Sequence, residues 1–356
     1  MRSDAEYGVE FSGGVCVLRL VLLMMAALVP GVAIAAPIPV KVVVLTMFEI
    51  GAQTGDVAGE FQHWAERYPF TQQMKVPGIE HPVRVSKDGV VLVLAGMNAR
   101  SRQSVTALAL DPRFDTSKAY WLIAGIAGVD PASGSIGSAA WARWVVDADA
   151  AHEMDDRETP TDWPWGIYSL NTRKPHLKGN AAGASNMAWK LDPGLVNWAH
   201  GLTRATPLDD NAQLQAARVS YTQAAARQPP GVYVGDAMGT ARFWHGERRT
   251  AWARDWVKLW TDGDGQFAMS DCEDHQVMDA LDLLAPSGRV DRRRVLVLRT
   301  ASNYSTPPPG ADPVFDFAPG GLDAGVEAAY RVGSPVVKAL VAGWGDYADK
   351  IPQAAP

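Results

Sequence analysis

Short apolar runs that end in glycine or polar residues constrain the fold of this 356-residue chain most strongly. In the clearest example, the Val-Leu-Val-Leu run at 295–298 leads into Ser302, Asn303 and Tyr304. Such a run is typical of a central strand that is covered on both faces of a parallel sheet. Ligands of open α/β sheets bind beyond the carboxyl ends of such strands. We therefore expect a polar loop after this strand, lining a ligand crevice.

Further runs predict that strands alternate with helices along the chain, which indicates one α/β domain with a mainly parallel sheet. Residues 150–190 lack periodicity and are expected to form a long surface insertion, a lid or an interface. Strands are predicted at 40–45, 90–94, 120–123 and 232–234, and helices at 103–110, 208–227, 273–284 and 323–343, the last one broken or kinked near Pro335.

Residues 1–35 are predicted to be a signal peptide. The apolar run at 20–29 has the length of a signal core, and 33–35 is an A-x-A cleavage motif. Acidic residues before Arg19 are atypical of a signal, so we expect translation to start later than residue 1. The remaining residues, 36–356, would then form a periplasmic or secreted domain.

Composition argues against several classes of function. The net charge is −6 and no segment is strongly basic, which disfavours nucleic acid as a partner. After the signal, no stretch reaches about 18 consecutive apolar residues, so we expect no stable membrane insertion. Cys272 is the one cysteine of the predicted mature chain and has no disulfide partner there. His and Cys pairs with metal-ligand spacing are missing from the sequence, so no metal is expected.

Candidate site residues follow five predicted strands. Parallel strands would bring these ends into one pocket, and the glycines would let a flat ligand approach the backbone. Turn geometry alone also explains any one of these glycine loops. The five ends are Glu49, 96–100, 125–128, 235–238 and 302–303.

The order of these segments resembles the nucleoside phosphorylase/nucleosidase superfamily, and the chain in detail resembles the purine nucleoside permease family. Gly125-Ile126-Ala127-Gly128 resembles the glycine turn beside the base, and Gly235-Asp236-Ala237-Met238 is similar to the segment whose last residue packs on the purine. Cys272-Glu273 stands at the Met-Glu position of the superfamily, and 299–303 is similar to its RxxSD strand end. The resemblance implies a single-domain three-layer αβα sandwich with a mixed, mainly parallel sheet.

The resemblance also implies catalytic roles. Glu273 would grip the ribose hydroxyls and stabilise the cationic sugar as the glycosidic bond breaks; its alternative is a solvated charge on the first turn of a helix. Asn303 replaces the aspartate of the pattern and can donate and accept hydrogen bonds, but it cannot protonate the base. Since the trimeric branch of the superfamily also uses Asn and prefers 6-oxopurines, inosine and guanosine are expected substrates. Glu49 would position water, as a first-loop glutamate does in the nucleosidases.

Hydrolysis is favoured over phosphorolysis, because the phosphate-binding arginines of the phosphorylases are not recognisable in the first loop. Arg100 could still serve an anion, so phosphate stays open as a co-substrate, and no other cofactor is expected. The alternatives are a non-catalytic nucleoside-binding component of a transport system and a scaffold that has lost its site. The resemblance further implies purine nucleosides as ligands and a homodimer. The predicted substrate contacts are Gly125, Ile126, Ala127, Gly128, Met238, Ser302, Tyr304 and Arg100.

Overall fold

In the computed structural model, a twelve-stranded mixed sheet lies at the centre of the described residues, which are 36–179, 186–312, 314 and 320–354. The predicted signal peptide lies outside the described residues. The strands are β1 Ile38–Pro39, β2 Val42–Thr46, β3 Phe70–Met74, β4 Val83–Ser86, β5 Val90–Leu94, β6 Phe114–Asp115, β7 Tyr120–Val129, β8 Ala139–Trp141, β9 Trp144–Asp147, β10 Ala151–Glu153, β11 Ile167–Ser169, β12 Ala188–Lys190, β13 Val232–Val234, β14 Asp236–Gly239, β15 Phe267–Asp271 and β16 Val295–Tyr304.

Eight α-helices occur in the same described part of the chain. They are α1 Gln62–Arg67, α2 Ala99–Leu110, α3 Pro193–Thr203, α4 Ala212–Val219, α5 Glu247–Trp260, α6 Asp274–Leu284, α7 Gly321–Ala342 and α8 Trp344–Tyr347. None of them is both long enough and apolar enough to cross a membrane.

The sheet is organised around β7. Strand β2 pairs in parallel with both β5 and β7, and β16 pairs in parallel with β7 along its whole length. Every residue of β2 and β5 is buried, as expected for valine-rich strands that are covered on both faces. Antiparallel strands complete the sheet, including β15 on β7 and β4 on β5, so the sheet is mixed as predicted.

Two neighbouring residues of β16 show that helices cover both faces of the sheet. Successive strand side chains point to opposite faces. The guanidinium of Arg299 donates to Asp274 at the start of α6, whereas the hydroxyl of Thr300 donates to the carbonyl of Gly325 on α7 at 2.8 Å. Helix α2 packs beside α6, and α1 and α3 pack beside α7. The three-layer αβα sandwich is therefore confirmed.

Three segments that were predicted to be loops are strand residues instead. The expected glycine turn at 125–128 belongs to β7, the polar loop at 302–304 belongs to β16, and 236–238 lies in β14. For the first two segments the reason is the β7–β16 ladder, which continues to Tyr304 opposite Val129. For 236–238 the reason is the pairing of β14 with both β9 and β15. A register shift between Ala301 and Asn303 is the kind of irregularity that redirects a side chain beside a site.

Other predicted elements differ in extent. The helix expected at 208–227 is confined to α4, because Asn211 accepts hydrogen bonds from the amides of the first turn and the chain leaves the helix after Val219. The last helix runs unbroken through Pro335, packed along β7 and β16. The predicted insertion at 150–190 is partly ordered into the sheet system, since β10 pairs with β11 and β12 joins β9.

Candidate functional site

A cleft with a cavity volume of about 80 Å³ opens where β7, β15 and β16 meet. Its walls are largely apolar and its floor carries carboxyl, hydroxyl and amide groups. We call it the carboxylate cleft. The apolar wall is formed by Phe48, Met97, Ile126, Phe243 and Trp244, and the polar floor by Glu60, Ser270, Asp271, Glu273, Ser302 and Asn303.

Glu60 lies in the floor just before α1, with only 2 % of its surface exposed. One carboxylate oxygen accepts the amide of Met47 at 2.6 Å, and the other accepts the amide of Ile126 at 2.7 Å. Burial raises the pKa of Glu60 to about 7, against the opposing attraction of Arg299. A carboxyl with a pKa near neutrality in a cleft is a candidate for proton transfer. Glu60 belongs to none of the sequence motifs from which the site was predicted.

Glu273 is held at the amino-terminal end of α6. Asp271 accepts the amide of Glu273 at 3.0 Å and the amide of Asp274 at 2.8 Å with the same oxygen, Oδ1, which fixes where the helix begins. Glu273 is buried, and burial raises its pKa to about 7, again opposed by Arg299. The structure thus places Glu273 in the cleft with its acidity strongly perturbed.

Arg299 is the buried cation beneath this floor. Its Nη2 donates to Asp274 at 2.5 Å and to Glu273 at 3.3 Å, and its Nη1 donates to the carbonyl of Ile126 at 3.1 Å. Gly125 makes this arrangement possible, since a Cβ there would lie 2.5 Å from Glu60 Oε1 and 2.6 Å from Arg299 Nη1. Glycine at position 125 therefore allows the charged groups of Glu60 and Arg299 to pack closely against the backbone.

Asn303 and Ser302 form the opposite side of the floor. Asn303 Oδ1 accepts a hydrogen bond from the Ser302 hydroxyl at 2.9 Å, and Asn303 Nδ2 donates to the Tyr304 carbonyl at 3.1 Å. The amide has a second N–H for a ligand. A Cβ at Gly128 would lie 2.7 Å from the Ser270 hydroxyl and 2.9 Å from Asn303 Nδ2, so this glycine keeps the side open.

Two predicted site residues lie in a wider cleft next to the first, which we call the neighbouring cleft. Glu49 accepts the backbone amides of Ile50 at 2.8 Å, of Gln62 at 2.6 Å and of Gly59, so its carboxylate joins the two ends of the loop before α1. Arg100 is exposed and forms an ion pair with Glu80 at 2.6 Å. Neither residue lines the carboxylate cleft.

Two further predicted contacts are buried away from the cleft. Met238 is fully buried on β14 in a core cluster with Trp252 and Phe267. Tyr304 is also buried, and its hydroxyl donates to the carbonyl of Ala226 at 2.9 Å. The structure brings Ile126, Ala127, Gly128, Ser302, Asn303 and Glu273 together in the lining, with Gly125 packed directly behind them.

Within the described residues, no group of three or more His, Cys, Asp or Glu side chains is placed to hold a metal ion. The floor instead combines carboxyl groups with Arg299, which already forms ion pairs with Glu273 and Asp274. Such a site can position hydroxyl groups, stabilise a developing positive charge and exchange a proton with water.

Solved structures with this fold define its class. Futalosine hydrolase from Helicobacter pylori aligns with a TM-score of 0.50 at 15% identity, covering 85% of this chain and 98% of that one. A mutant of the 5'-methylthioadenosine/S-adenosylhomocysteine nucleosidase from the same organism, with 5'-methylthioadenosine in its active site, aligns with a TM-score of 0.52 at 14% identity, covering 85% and 98%. These likenesses show the nucleoside phosphorylase/nucleosidase fold.

The family follows from sequence comparison. The profile of the purine nucleoside permease family matches residues 39–352, and the chain belongs to this family. A purine nucleoside permease from Candida albicans is 26% identical over 323 residues, which cover 85% of this chain and 75% of the relative. A probable purine nucleoside permease from Schizosaccharomyces pombe is 27% identical over 214 residues, covering 58% and 61%. The resemblance seen in the sequence is thereby confirmed.

Proposed function

We propose that this protein binds purine nucleosides in the carboxylate cleft and hydrolyses their N-glycosidic bond outside the cytoplasm, in support of nucleoside uptake. The observation that carries the proposal is the pair of buried carboxyl groups, Glu60 and Glu273, whose pKa values are both raised to about 7 in one cleft. The family name and the nucleosidase fold support purine nucleosides as the ligand class.

Glu273 is the residue for the sugar. Breaking the bond between ribose and purine builds positive charge on the ribose ring, and an ionised carboxylate beside the ring stabilises that charge. Arg299 donates to one oxygen of Glu273, Oε2, at 3.3 Å, and Glu273 lines the cleft in which the ribose hydroxyls would lie. The arginine therefore orients the carboxylate that grips the sugar.

Glu60 is the residue for the water. As water attacks C1′, a C–O bond forms, the C1′–N bond breaks with its electron pair going to the base, and one proton passes from the water to the Glu60 carboxylate. The purine leaves as an anion and takes its proton from solvent. A carboxylate with a pKa of about 7 is a stronger base than an ordinary glutamate and is still largely ionised just above neutrality. Its two backbone hydrogen bonds, from Met47 and Ile126, fix its position.

Asn303 is the residue for the base. Its remaining amide N–H can donate to a ring nitrogen or to the 6-oxygen of a purine, stabilising charge on the leaving group without protonating it. The apolar wall around Ile126 and Phe243 suits the flat ring. Inosine and guanosine, which carry a 6-oxo acceptor, are therefore the proposed substrates.

The charges of the cleft support hydrolysis over phosphorolysis. Arg299 is committed to Glu273 and Asp274, and Arg242 at the rim pairs with Glu153 at 2.6 Å. Among the described residues that line this cleft, no other Lys or Arg is available to neutralise a phosphate. A phosphate dianion would also be repelled by the acidic floor.

The second candidate is a nucleoside-binding component of a transport system that does not cleave its ligand. Asn303 favours it, because an amide cannot supply the proton that an aspartic acid would give to the leaving base. The curated relatives also carry the name of permeases.

One assay separates the candidates. The protein is incubated with inosine, guanosine and adenosine, with and without phosphate, and free base is followed by chromatography while binding is measured by calorimetry. We expect base release that does not require phosphate. Nucleoside binding without product would overturn the enzymatic proposal, and phosphate-dependent ribose 1-phosphate would overturn hydrolysis. Absence of both binding and product would leave the scaffold alternative.

Two variants test the assigned roles within the same assay. Glu273→Gln and Asn303→Ala should each lower turnover by roughly tenfold or more, the scale of one lost transition-state contact of about 1.4 kcal/mol. Rates equal to the wild type in both would exclude these roles. Export is tested separately, by sequencing the amino terminus of the protein from the periplasmic fraction, where cleavage near residue 36 is expected.

A further inference from the structure

We infer that Asp274 is a positioning residue that holds the guanidinium of Arg299 in an ion pair and so limits how strongly Arg299 can stabilise the ionised form of Glu60. This role deepens the proposed function and rests on it, because its consequence is the proton affinity of the residue assigned to the attacking water. Asp274 belongs to none of the motifs from which the site was predicted.

Asp274 accepts most of the hydrogen bonds that Arg299 donates. Arg299 Nε lies 3.1 Å from both oxygens of Asp274, and Arg299 Nη2 lies 2.5 Å from Asp274 Oδ1. The other contacts of the guanidinium are Glu273 at 3.3 Å, Asp271 at 3.7 Å and the carbonyl of Ile126 at 3.1 Å. A guanidinium has five N–H donors in a fixed plane, so these partners determine its direction.

Asp274 itself is held rigidly at the start of α6. It is fully buried and is the first residue of α6. Its amide donates to Asp271 Oδ1 at 2.8 Å, so both its backbone and its carboxylate are fixed. A two-point contact with Nε and Nη2 is the strong form of a carboxylate–arginine pair, and this pair is shielded from solvent.

Glu60 lies close to Arg299 but takes its hydrogen bonds from the backbone. Glu60 Oε1 and Arg299 Nη1 both lie against Gly125, at 2.5 Å and 2.6 Å from the position that a Cβ would take there. The ion pairs of Arg299 among the described residues nevertheless go to Asp271, Glu273 and Asp274. The hydrogen bonds of Glu60 come instead from the backbone amides of Met47 and Ile126.

The charges that face this floor come from four elements. They are Glu60 before α1, Asp271 on β15, Glu273 and Asp274 at the start of α6, and Arg299 on β16, with the His275–Asp149 ion pair of 2.9 Å behind α6. One arginine thus faces four carboxyl groups. Replacing Asp274 by a neutral residue would leave Arg299 free to favour the ionised forms of Glu60 and Glu273.

The test is a pH titration of the Glu60 carboxyl carbon by ¹³C NMR in protein labelled at glutamate side chains, with Glu60→Gln assigning the signal. We expect Asp274→Asn to lower the titration midpoint of Glu60 by about one pH unit or more, since the added attraction is of the order of one unit. The matched control is Asp279→Asn, which removes a carboxylate from the same helix at a surface ion pair with Arg102 and should leave the midpoint unchanged.

A midpoint that stays at the wild-type value in folded Asp274→Asn would overturn the inference, as would an equal shift in the control. Asp274→Ser, with a smaller side chain and no charge, is the second variant if the amide does not fold, and the same midpoint shift is expected. If the protein turns over nucleosides, the acid limb of its pH–rate profile should move with the NMR midpoint. Because the NMR titration needs no turnover, a failure of the inference is distinguishable from a failure of the proposed hydrolysis.

Discussion

The carboxylate cleft and the neighbouring cleft share Phe48 and Met97 but differ in what surrounds their acidic groups. The neighbouring cleft is the larger, with a cavity volume of about 780 Å³ against about 80 Å³. Its charged pair, Arg100 and Glu80, has side chains that are 70% and 61% exposed. Glu60 and Glu273 in the carboxylate cleft are almost fully buried. Burial of the carboxyl group is the largest cause of its raised pKa here, more than the volume of the cleft or the presence of a nearby charge.

The two glutamates of the first loop show the same contrast at the level of single residues. Among the described residues, Glu49 accepts hydrogen bonds from the amides of its own loop and of the start of α1, so its carboxylate stabilises the local backbone. Glu60 instead accepts hydrogen bonds from the amide of Ile126 on β7 and from the amide of Met47, the residue after β2, and its carboxyl group lies in the cleft floor. The water-handling role predicted for Glu49 is therefore better matched by the position of Glu60.

The largest expected effect is on nucleoside turnover, when each of these two glutamates is replaced by glutamine. Glu60→Gln should lower nucleoside turnover by about a hundredfold or more, the usual scale for losing a general base. Glu49→Gln should cost less than about tenfold, because it disturbs only the loop that carries Glu60. Steady-state rates with inosine measure both. A hundredfold loss in Glu49→Gln beside a near-normal Glu60→Gln would restore Glu49 as the residue for water.

The second expected effect is on stability. Burial raises the pKa of Glu60 from 4.5 to about 7, so the folded chain holds this proton more tightly than the unfolded chain. The contribution is favourable at pH values below about 4.5 and is lost as the pH rises to about 7. Relative to the wild type, Glu60→Gln should therefore gain about 3 kcal/mol in unfolding free energy between pH 4.5 and pH 8.

Urea denaturation at several pH values measures this difference. Glu80→Gln is the control, because it removes an exposed carboxylate from the neighbouring cleft. If the difference in unfolding free energy between the wild type and Glu60→Gln does not depend on pH, the pKa of Glu60 is not raised in the folded protein. The contrast between the acidic groups of the two clefts would then be wrong.

The smallest expected effect concerns the rim. The Phe243 side chain is 77% exposed, although the segment that carries it is fixed at both ends by hydrogen bonds from the amides of Ala241 to Asp149 and of Gly246 to Ser305. A ligand in the cleft would cover this ring. Phe243→Ala should weaken nucleoside binding about five- to tenfold, the equivalent of about 1 kcal/mol of lost apolar burial.

Calorimetry with inosine measures this affinity, and Leu283→Ala, which truncates an exposed apolar residue at the far end of α6, should leave it unchanged. Equal affinities of Phe243→Ala and the wild type would place the ligand away from this rim.

The sequence was sufficient for the elements with strong local signals. The apolar run at 90–94 is β5, the helix expected at 273–284 is α6 to within a residue, and the run at 295–298 begins β16. Strands such as β9, β14 and β15 were missed because their short segments are defined by partners distant in the chain, as in the pairing of Ala237 with both Val145 and Met269.

Site residues that belong to a short sequence motif could be predicted, whereas residues that reach the site through contacts between distant segments could not. Glu273 and Asn303 were identified from short patterns and lie in the cleft. Glu60 was not, because a loop separates it from its strand and its partner Ile126 is 66 positions away. Nothing in the local sequence indicates that Asp274 meets Arg299, because the two residues are 25 positions apart and only the packing of α6 against β16 brings them together.

The most direct test of the account is the crystal structure of Glu60→Gln soaked with inosine at a concentration that saturates binding in solution. We predict electron density for an intact nucleoside in the carboxylate cleft, with its ribose hydroxyls on Glu273 and its base beside Asn303. Density in the neighbouring cleft near Arg100, or none in the carboxylate cleft while calorimetry reports binding, would contradict the assignment of this site.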